Sequence, residues 1–414
     1  MERAELSERL GGGRLRHGGA DTVICEGEAD RFQAVFAAAV ASGGRVFLAD
    51  PAWRDSERAE FEAVRSRVSG NPDRVDDPER GWLCIPTGGS SGRVKLARHD
   101  ARSLSAAVGG FARHFGVKQV DAVGFLPLHH VSGLMAWLRT RLTGGRYWGA
   151  RWGDVSAGLQ LPAEPESAFV SVVPTQLQRL LGQPLAVAWL RSFRTVFVGG
   201  GPVWPSLLEE AAVAQIPLSL SYGMTETAAM VSALLPEEFL AGRRSCGKPL
   251  PHARVDCEDD GTLVVGGDSL FRGYFPEFHP ALERYVTPDA GRIDADGHVH
   301  VLERRDAMII TGGEKVDPRA VEEVLRATGQ FLDVVVLGVR DPTWGQAVVA
   351  CYPADAEPTD WTRVRARVEQ ELSGYRRPKR YVPIAPWPRT AQGKVNREVL
   401  KSITEATLAG EGRA

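Results

Sequence analysis

The sequence predicts an α/β protein: a large, multi-sheet α/β N-terminal domain followed by a small α+β C-terminal domain. Three observations predict it. Short apolar strands alternate with helical patterns from Asp21 to about Arg305, the signature of a largely parallel sheet with helices between strands. A stretch with two strands around an Asp-Asp-Gly turn, RVDCEDDGTLVVGG, adds a more antiparallel region. The pattern then shifts near LERRDAMIITGGEKVDP, and a compact set of helices and strands follows. The expected domains are therefore 1–305 and 306–414.

The elements follow in order. RFQAVFAAAVAS reads as a helix, and RVFLAD at 45–50 as the strand after it. AVGFLPL at 122–128, SAFVSVV at 167–173, TVFVGG at 195–200 and PLSLSYG at 217–223 are buried-type strands that end in Gly, Pro or polar turns. ARSLSAAVGGFARHF and PSLLEEAAVAQ supply helices between them. In the C-terminal part, DPRAVEEVLRAT is a capped helix with Pro318 in its first turn. FLDVVVLGVR and QAVVACYP are strands, DWTRVRARVEQELSGY is a helix, and KRYVPIAP is a last strand. The start, MERAELSERLGGGRLRHGG, is a short polar helix or a frayed arm without the apolar segment of a secretory signal.

Composition bounds the function. The chain has 414 residues, 43% hydrophobic and 25% charged, with a formal net charge of -2 and no internal repeat. That profile is globular, and it carries no basic footprint for nucleic acid. No apolar run approaches the ~18 residues needed to span a bilayer. The five cysteines are scattered and never spaced as CxxC, which suggests mostly buried thiols in a reducing cytoplasm rather than disulfides or a cysteine zinc site. Cys84 is expected in a strand core. Lysine is scarce, seven against 43 arginines, and Lys95, Lys315 and Lys394 all fall in Gly-rich motifs.

Four motifs carry chemistry. In PTGGSSGRVKLA at 86–97, Gly88, Gly89 and Gly92 let the backbone approach a ligand, Thr87, Ser90 and Ser91 add hydroxyls, and Lys95 adds a charge. Successive N–H groups there make a polyphosphate nest, or else the stretch is an exposed turn. It is not the GxxxxGK[ST] loop, because Lys95 follows the last glycine by three residues. In SYGMTETAAM at 221–230, Gly223 permits a tight turn and Tyr222 offers a flat face for a base. Thr225 and Glu226 follow at a strand's carboxyl end, where open α/β sheets bind ligands. Glu226 there either holds Mg²⁺ or favours the dipole of a helix start capped by Thr225. Asp289 lies in a Pro-Asp turn, Arg304 follows a strand, and Gly393 precedes Lys394 near the C-terminus.

Together and in this order, these motifs resemble the adenylate-forming superfamily of acyl-CoA synthetases, adenylation domains and luciferases, over about Leu83 to Leu400. The resemblance implies the adenylate-forming fold with a mobile C-terminal domain, and ATP, Mg²⁺ and coenzyme A as cofactors. It makes Thr87–Lys95 the phosphate loop. Gly199, Gly200 and Gly201 with Ser221, Tyr222 and Gly223 would enclose adenine. Thr225 and Glu226 would meet phosphate and Mg²⁺, and Asp289 and Arg304 the ribose. Asp306 falls at the hinge and Lys394 at the catalytic lysine of adenylation. Gly312 and Gly313 belong to the face presented for the thiol step.

Two departures stand out, Thr287-Pro288-Asp289 and Glu303-Arg304 in place of Thr-Gly-Asp and Gly-Arg. The phosphate loop also comes early, which implies a shortened N-terminal region.

The segment LPLHHVSGLMAWLR at 126–139 is similar to the HxSGL element of the 2-succinylbenzoate–CoA ligase branch of menaquinone and phylloquinone biosynthesis. By that resemblance His130 lines the acyl pocket, as a packed gate or an acid–base group, and His129 faces elsewhere. Met135 and Trp137 read as core. The implied partners are a small aromatic carboxylic acid, ATP and CoA, with neither nucleic acid nor a membrane. A homodimer stays open. So does another aryl- or acyl-CoA ligase, or a stand-alone adenylation enzyme.

Overall fold

The structure, a computed structural model, describes residues 1–16, 18–53, 55–66, 81–87, 94–158, 166–201, 203–279, 282–304, 308–390 and 395–411. It divides into two compact units. The first comprises Met1–Gly201, Glu210–Thr287 and Gly291–Val301, and the second comprises Pro202–Glu209, Pro288–Ala290 and Leu302–Ala414.

The first unit is built on a seven-stranded sheet. Its strands lie in the order Lys248–Pro249, Ala229–Ala233, Leu218–Met224, Thr195–Val198, Ala168–Val172, Asp121–Gly124 and Tyr147–Gly149. The five from Leu218–Met224 to Tyr147–Gly149 run parallel, and Ala229–Ala233 folds back antiparallel. The parallel strands are short apolar runs because helices cover both faces. Phe111, Phe115, Phe169 and Phe197 pack against one of them.

A four-stranded sheet of Thr22–Ile24, Val46–Leu48, Leu83–Thr87 and Lys95–His99 lies in the same unit. Trp137 on helix Val131–Thr143 meets Phe32 and Phe36 edge-on, and Met135 beside it is fully buried, both as core. The predicted hairpin is Ala253–Cys257 against Thr262–Gly267, antiparallel with Val255 opposite Val265.

The N-terminus is a docked helix, Arg3–Arg9, and not a frayed arm. Arg3 is buried. Its guanidinium donates to the carbonyls of Val40 and Gly44 and lies 4.3 Å over the Trp82 ring. Val40 is in the last turn of helix Ala29–Ser42 and Gly44 lies just past its C-cap, so the cation also answers a helix C-terminus. The thiols divide otherwise than expected: Cys84 and Cys351 are buried, Cys246 is half-buried, and Cys25 and Cys257 are exposed. Cys84 sits in a strand core as predicted.

The second unit is α+β. Its sheet joins Glu314–Val316, Ile309–Thr311, Gly345–Pro353 and Val335–Asp341, with Arg380–Ile384 parallel to Gly345–Pro353. Helix Pro318–Ala327 is capped by Asp317, which accepts from the Arg319 N–H, and Trp361–Glu371 is capped by Asp360. Such caps are worth about 1 kcal/mol each. Val321, Leu325, Val364 and Val368 from these helices pack on Val336, Val348 and Ala350.

Candidate active site

Strand Leu218–Met224 carries the centre of the site in the first unit. It lies beside Thr195–Val198, so Gly199–Gly201, just past the end of one strand, come alongside Ser221–Gly223 in the last residues of its parallel neighbour. A Cβ on Gly199 would come 3.3 Å from Ser221 Oγ, and Gly200 adopts φ 75°, which favours glycine. The two predicted segments thus meet. Gly223 acts by close approach rather than in a turn, because a Cβ there would lie 2.0 Å from the Ala229 carbonyl.

Tyr222 is mostly core. It is 7% exposed and packs with Val231, Leu263 and Leu270, so little of its ring is open as a shelf for a base.

Thr225–Thr227 forms a single 3₁₀ turn between two antiparallel strands, and no helix starts there. Thr227 Oγ1 holds the turn by bonding to the Met224 N–H and the Ala229 carbonyl. Ala228 and Ala229 have φ of 51° and 77°. Two successive non-glycine residues in the left-handed region store strain, which collects at functional sites.

The turn is anchored from behind. His99 Nε2 donates to the Thr225 carbonyl at 2.7 Å, and its Nδ1 faces Ser103 Oγ at 3.1 Å. Burial first, against the opposing Thr225 bond, brings the His99 imidazole down to about 4, so the ring is neutral. Next to it Asp100 caps helix Ala101–His114 and accepts from Arg272 at 2.7 Å.

Glu226 is 8% exposed and its Oε1 accepts a 2.6 Å bond from the Tyr274 hydroxyl, which also meets Tyr285 Oη at 3.1 Å. Burial, then the Glu226 carboxylate, push Tyr274 well above the usual phenol range, so it remains a donor. Lys95 Nζ lies 5.3 Å over the Tyr274 ring. Thr87 and Lys95 face each other across an antiparallel pair and flank the Gly/Ser loop. Gly88, Gly89, Ser90, Ser91 and Gly92 of that loop lie outside the described residues.

His130 precedes helix Val131–Thr143 as its N-cap. Contrary to expectation, His129 does not face elsewhere. His129 Nε2 lies 3.3 Å from Asp50 Oδ1 and His130 Nε2 lies 3.6 Å from Asp50 Oδ2. Burial would raise the Asp50 carboxyl, but the two imidazoles and the Ala52 N–H outweigh it and hold the group well below the usual carboxylate range. Further along this helix Arg139 is 4% exposed, stacked 4.1 Å over Phe111, with no ion pair among the described residues. Burial brings its guanidinium down to about 9.

Asp289 lies within the strand Arg284–Ile293 and not in a turn, and Arg304 ends the strand Val299–Arg304. In the second unit Gly312 and Gly313, φ 58° and 86°, turn the hairpin between Ile309–Thr311 and Glu314–Val316. The Gly312 N–H donates to the Trp344 carbonyl, and a Cβ on Gly312 would lie 3.0 Å from the half-exposed Trp344 ring. Lys394 and Asp306 lie outside the described residues. Arg389 and Val395, near Lys394 in the chain, pair in an antiparallel bridge.

Asp50, His99, Arg139 and Tyr274 were absent from the sequence reading. Asp50 had a signal, since it follows the strand Val46–Leu48 at its carboxyl end.

The model of the AMP-binding enzyme family matches residues 6–275, and that of the AMP-binding enzyme C-terminal domain matches 320–394. A 2-succinylbenzoate–CoA ligase of Listeria monocytogenes is 34% identical over 333 residues, covering 78% of this chain and 70% of the relative. One from Listeria innocua is 29% identical over 94% of this chain and 84% of its own length. Among solved structures, o-succinylbenzoate CoA synthetase from Bacillus subtilis in complex with the acyl-adenylate intermediate OSB-AMP superposes with a TM-score of 0.76. It is 24% identical and is matched over 96% of this chain and 91% of that one. ATP-bound MatB from Rhodopseudomonas palustris gives 0.74 at 21% identity, over 97% of this chain and 93% of that one. The fold is that of these enzymes, and the chain belongs to the AMP-binding enzyme family.

Proposed function

We propose that this chain is an AMP-forming acid–CoA ligase that activates 2-succinylbenzoate for quinone biosynthesis. A substrate carboxylate oxygen attacks the α-phosphorus of ATP, the bond to the bridging oxygen breaks, and pyrophosphate leaves. The thiol of CoA then attacks the carbonyl carbon of the acyl-adenylate, loses its proton, and AMP departs. The products are 2-succinylbenzoyl-CoA, AMP and pyrophosphate. The observation that supports this reading most directly is the approach of Gly199 to Ser221 on adjoining parallel strands, with the Thr225–Thr227 turn following on the strand that carries Ser221. The relatives' common activity supports the substrate.

The chemistry divides among residues by charge. Mg²⁺ bound with ATP would neutralise phosphate charge. Glu226, its orientation set by Tyr274, is the carboxylate suited to hold it, since Mg²⁺ takes one or two protein carboxylates beside phosphate oxygens. Thr225 and the loop Thr87–Lys95 donate to phosphate, Asp289 accepts from the ribose hydroxyls, and Arg304 donates to them. Lys394 answers the charge that develops between carboxylate and α-phosphate. In the C-terminal domain, from about Asp306, Lys394 is assigned to the adenylation step and Gly312 and Gly313 to the thiol step.

The substrate is a dianion, so its second carboxylate needs a cation. Arg139 fits that need. It is a buried guanidinium without an acidic partner among the described residues, on the helix that starts after His130. Acid-dependent pyrophosphate exchange over a panel of aryl and acyl acids, followed by CoA as acceptor, tests the assignment. Exchange with 2-succinylbenzoate and thioester formation are expected. Turnover of other acids alone, or transfer only to a carrier protein, overturns it.

A further inference from the structure

A buried carboxylate and two neighbouring imidazoles form a cluster with no assigned step in the adenylation chemistry proposed above. Asp50, 6% exposed, ends the first parallel crossover of the N-terminal sheet, and its Oδ1 accepts from the Ala52 N–H at 2.8 Å. His129 and His130 approach it from the turn before helix Val131–Thr143, with ring centroids 4.5 Å apart. One donor atom from each of the three residues lies within 4.8 Å of the others.

The distances decide between a hydrogen-bonded cluster and a metal site. An N–H···O bond closes to about 2.9 Å, and charge-assisted ones close further. Here the nitrogens stand 3.3 and 3.6 Å from the carboxylate oxygens. A tetrahedral ion with bonds of about 2.0–2.1 Å holds its donors roughly 3.3–3.4 Å apart. His129 supplies a second, independent sign. It is 3% exposed, and neither of its ring nitrogens makes a hydrogen bond among the described residues. A buried imidazole left in that state is costly unless a nitrogen binds something else.

We propose that Asp50, His129 and His130 bind one divalent transition-metal ion, with Zn²⁺ the best fit. Two imidazoles and one carboxylate suit zinc, cobalt or nickel, whereas Mg²⁺ takes oxygen ligands. The site is therefore chemically separate from the one at Glu226. Three protein donors leave a fourth position for water, and the partly exposed side of His130 provides the way in. The inference does not rest on the substrate reading.

The test uses the full chain, stripped with a chelator and titrated with Co²⁺, followed by visible absorption. A saturable 1:1 signal with the intense bands of four-coordinate cobalt is expected, displaced by Zn²⁺ and not by Mg²⁺. Asp50→Ala and His129→Ala should each weaken cobalt binding at least tenfold, while Glu226→Gln should leave it unchanged. Absence of four-coordinate bands overturns the proposal, as does equal binding by Asp50→Ala and His129→Ala. If those variants fail to fold, thermal unfolding of the unsubstituted protein decides. A rise in Tm with micromolar Zn²⁺ but not with Mg²⁺ supports the site, and no difference between the ions overturns it.

Discussion

The Tyr274 hydroxyl donates a 2.6 Å hydrogen bond to Glu226 Oε1, joining a residue that bridges Ala97 of the edge strand Lys95–His99 to the turn that follows strand Leu218–Met224. The contact orients the Glu226 carboxylate, and Lys95 Nζ lies over the same ring. Tyr274→Phe keeps the ring and removes only the donor. Hydrogen bonds to charged groups are worth about 1.5–3 kcal/mol, so kcat/KM for MgATP should fall roughly tenfold or more. The Mg²⁺ concentration for half-maximal pyrophosphate exchange should rise with it. An unchanged Mg²⁺ requirement would mean that Tyr274 serves packing alone.

Much of this arrangement was legible in the sequence, for a physical reason. The parallel strands are covered on both faces and so read as short apolar runs bounded by turns; the observed Ala168–Val172 and Thr195–Val198 lie inside the expected segments, and Leu218–Met224 overruns its segment by one residue. The motif residues around Ser221 and Glu226 are local and could be read the same way. Groups that converge from far apart could not. Tyr274 and Glu226 are 48 residues apart, and His99 and Thr225 are 126 apart. The turn at Thr225 was also ambiguous, because a Thr-Glu pair after a strand suits a helix start as well as a hairpin. The antiparallel partner Ala229–Ala233 decides it, and only pairing reveals that partner.

Arg139 gives a prediction with a pH signature. In the free protein its guanidinium loses its proton near 9, because burial disfavours the charge. A bound carboxylate favours the protonated form, so binding above that pH must take up a proton. KM for 2-succinylbenzoate should be flat below about 9 and rise above it, while KM for ATP does not follow. Arg139→Ala should raise KM for the acid by roughly tenfold or more, as expected for one buried charged bond lost, and flatten the alkaline limb. Initial rates against acid concentration from pH 7 to 10 check both.

Lys394 is assigned to the first half-reaction only. Lys394→Ala should reduce 2-succinylbenzoate-dependent pyrophosphate exchange by about 10²–10³-fold, the usual range for removing one preorganised donor from a developing charge. Binding of ATP alone should change less than threefold. Thioester formation from supplied acyl-adenylate and CoA should keep most of its rate, since Lys394 is assigned no part in that step. Equal loss in both half-reactions would refute the division of labour.

Two buried histidines set the acid limit of the first unit. His99 is fully buried, and burial brings it from 6.5 to about 4. His252 is 4% exposed, and burial first, then the charges of Arg139 and Arg113, bring it likewise to about 4. Unfolding raises both towards 6.5, so between the two values the unfolded chain binds more protons than the folded one. Stability from these groups is therefore complete above about 6.5 and is lost as pH falls towards 4. Each contributes at most about 3 kcal/mol by that linkage. His252→Gln keeps a polar side chain that does not titrate in this range. It should flatten the acid limb of the stability curve while lowering stability near pH 7.5 only modestly. Urea unfolding at a series of pH values between 4 and 7.5 measures the slope directly. The same acid slope in the variant would remove His252 as a cause and leave the charge of His99 to account for it.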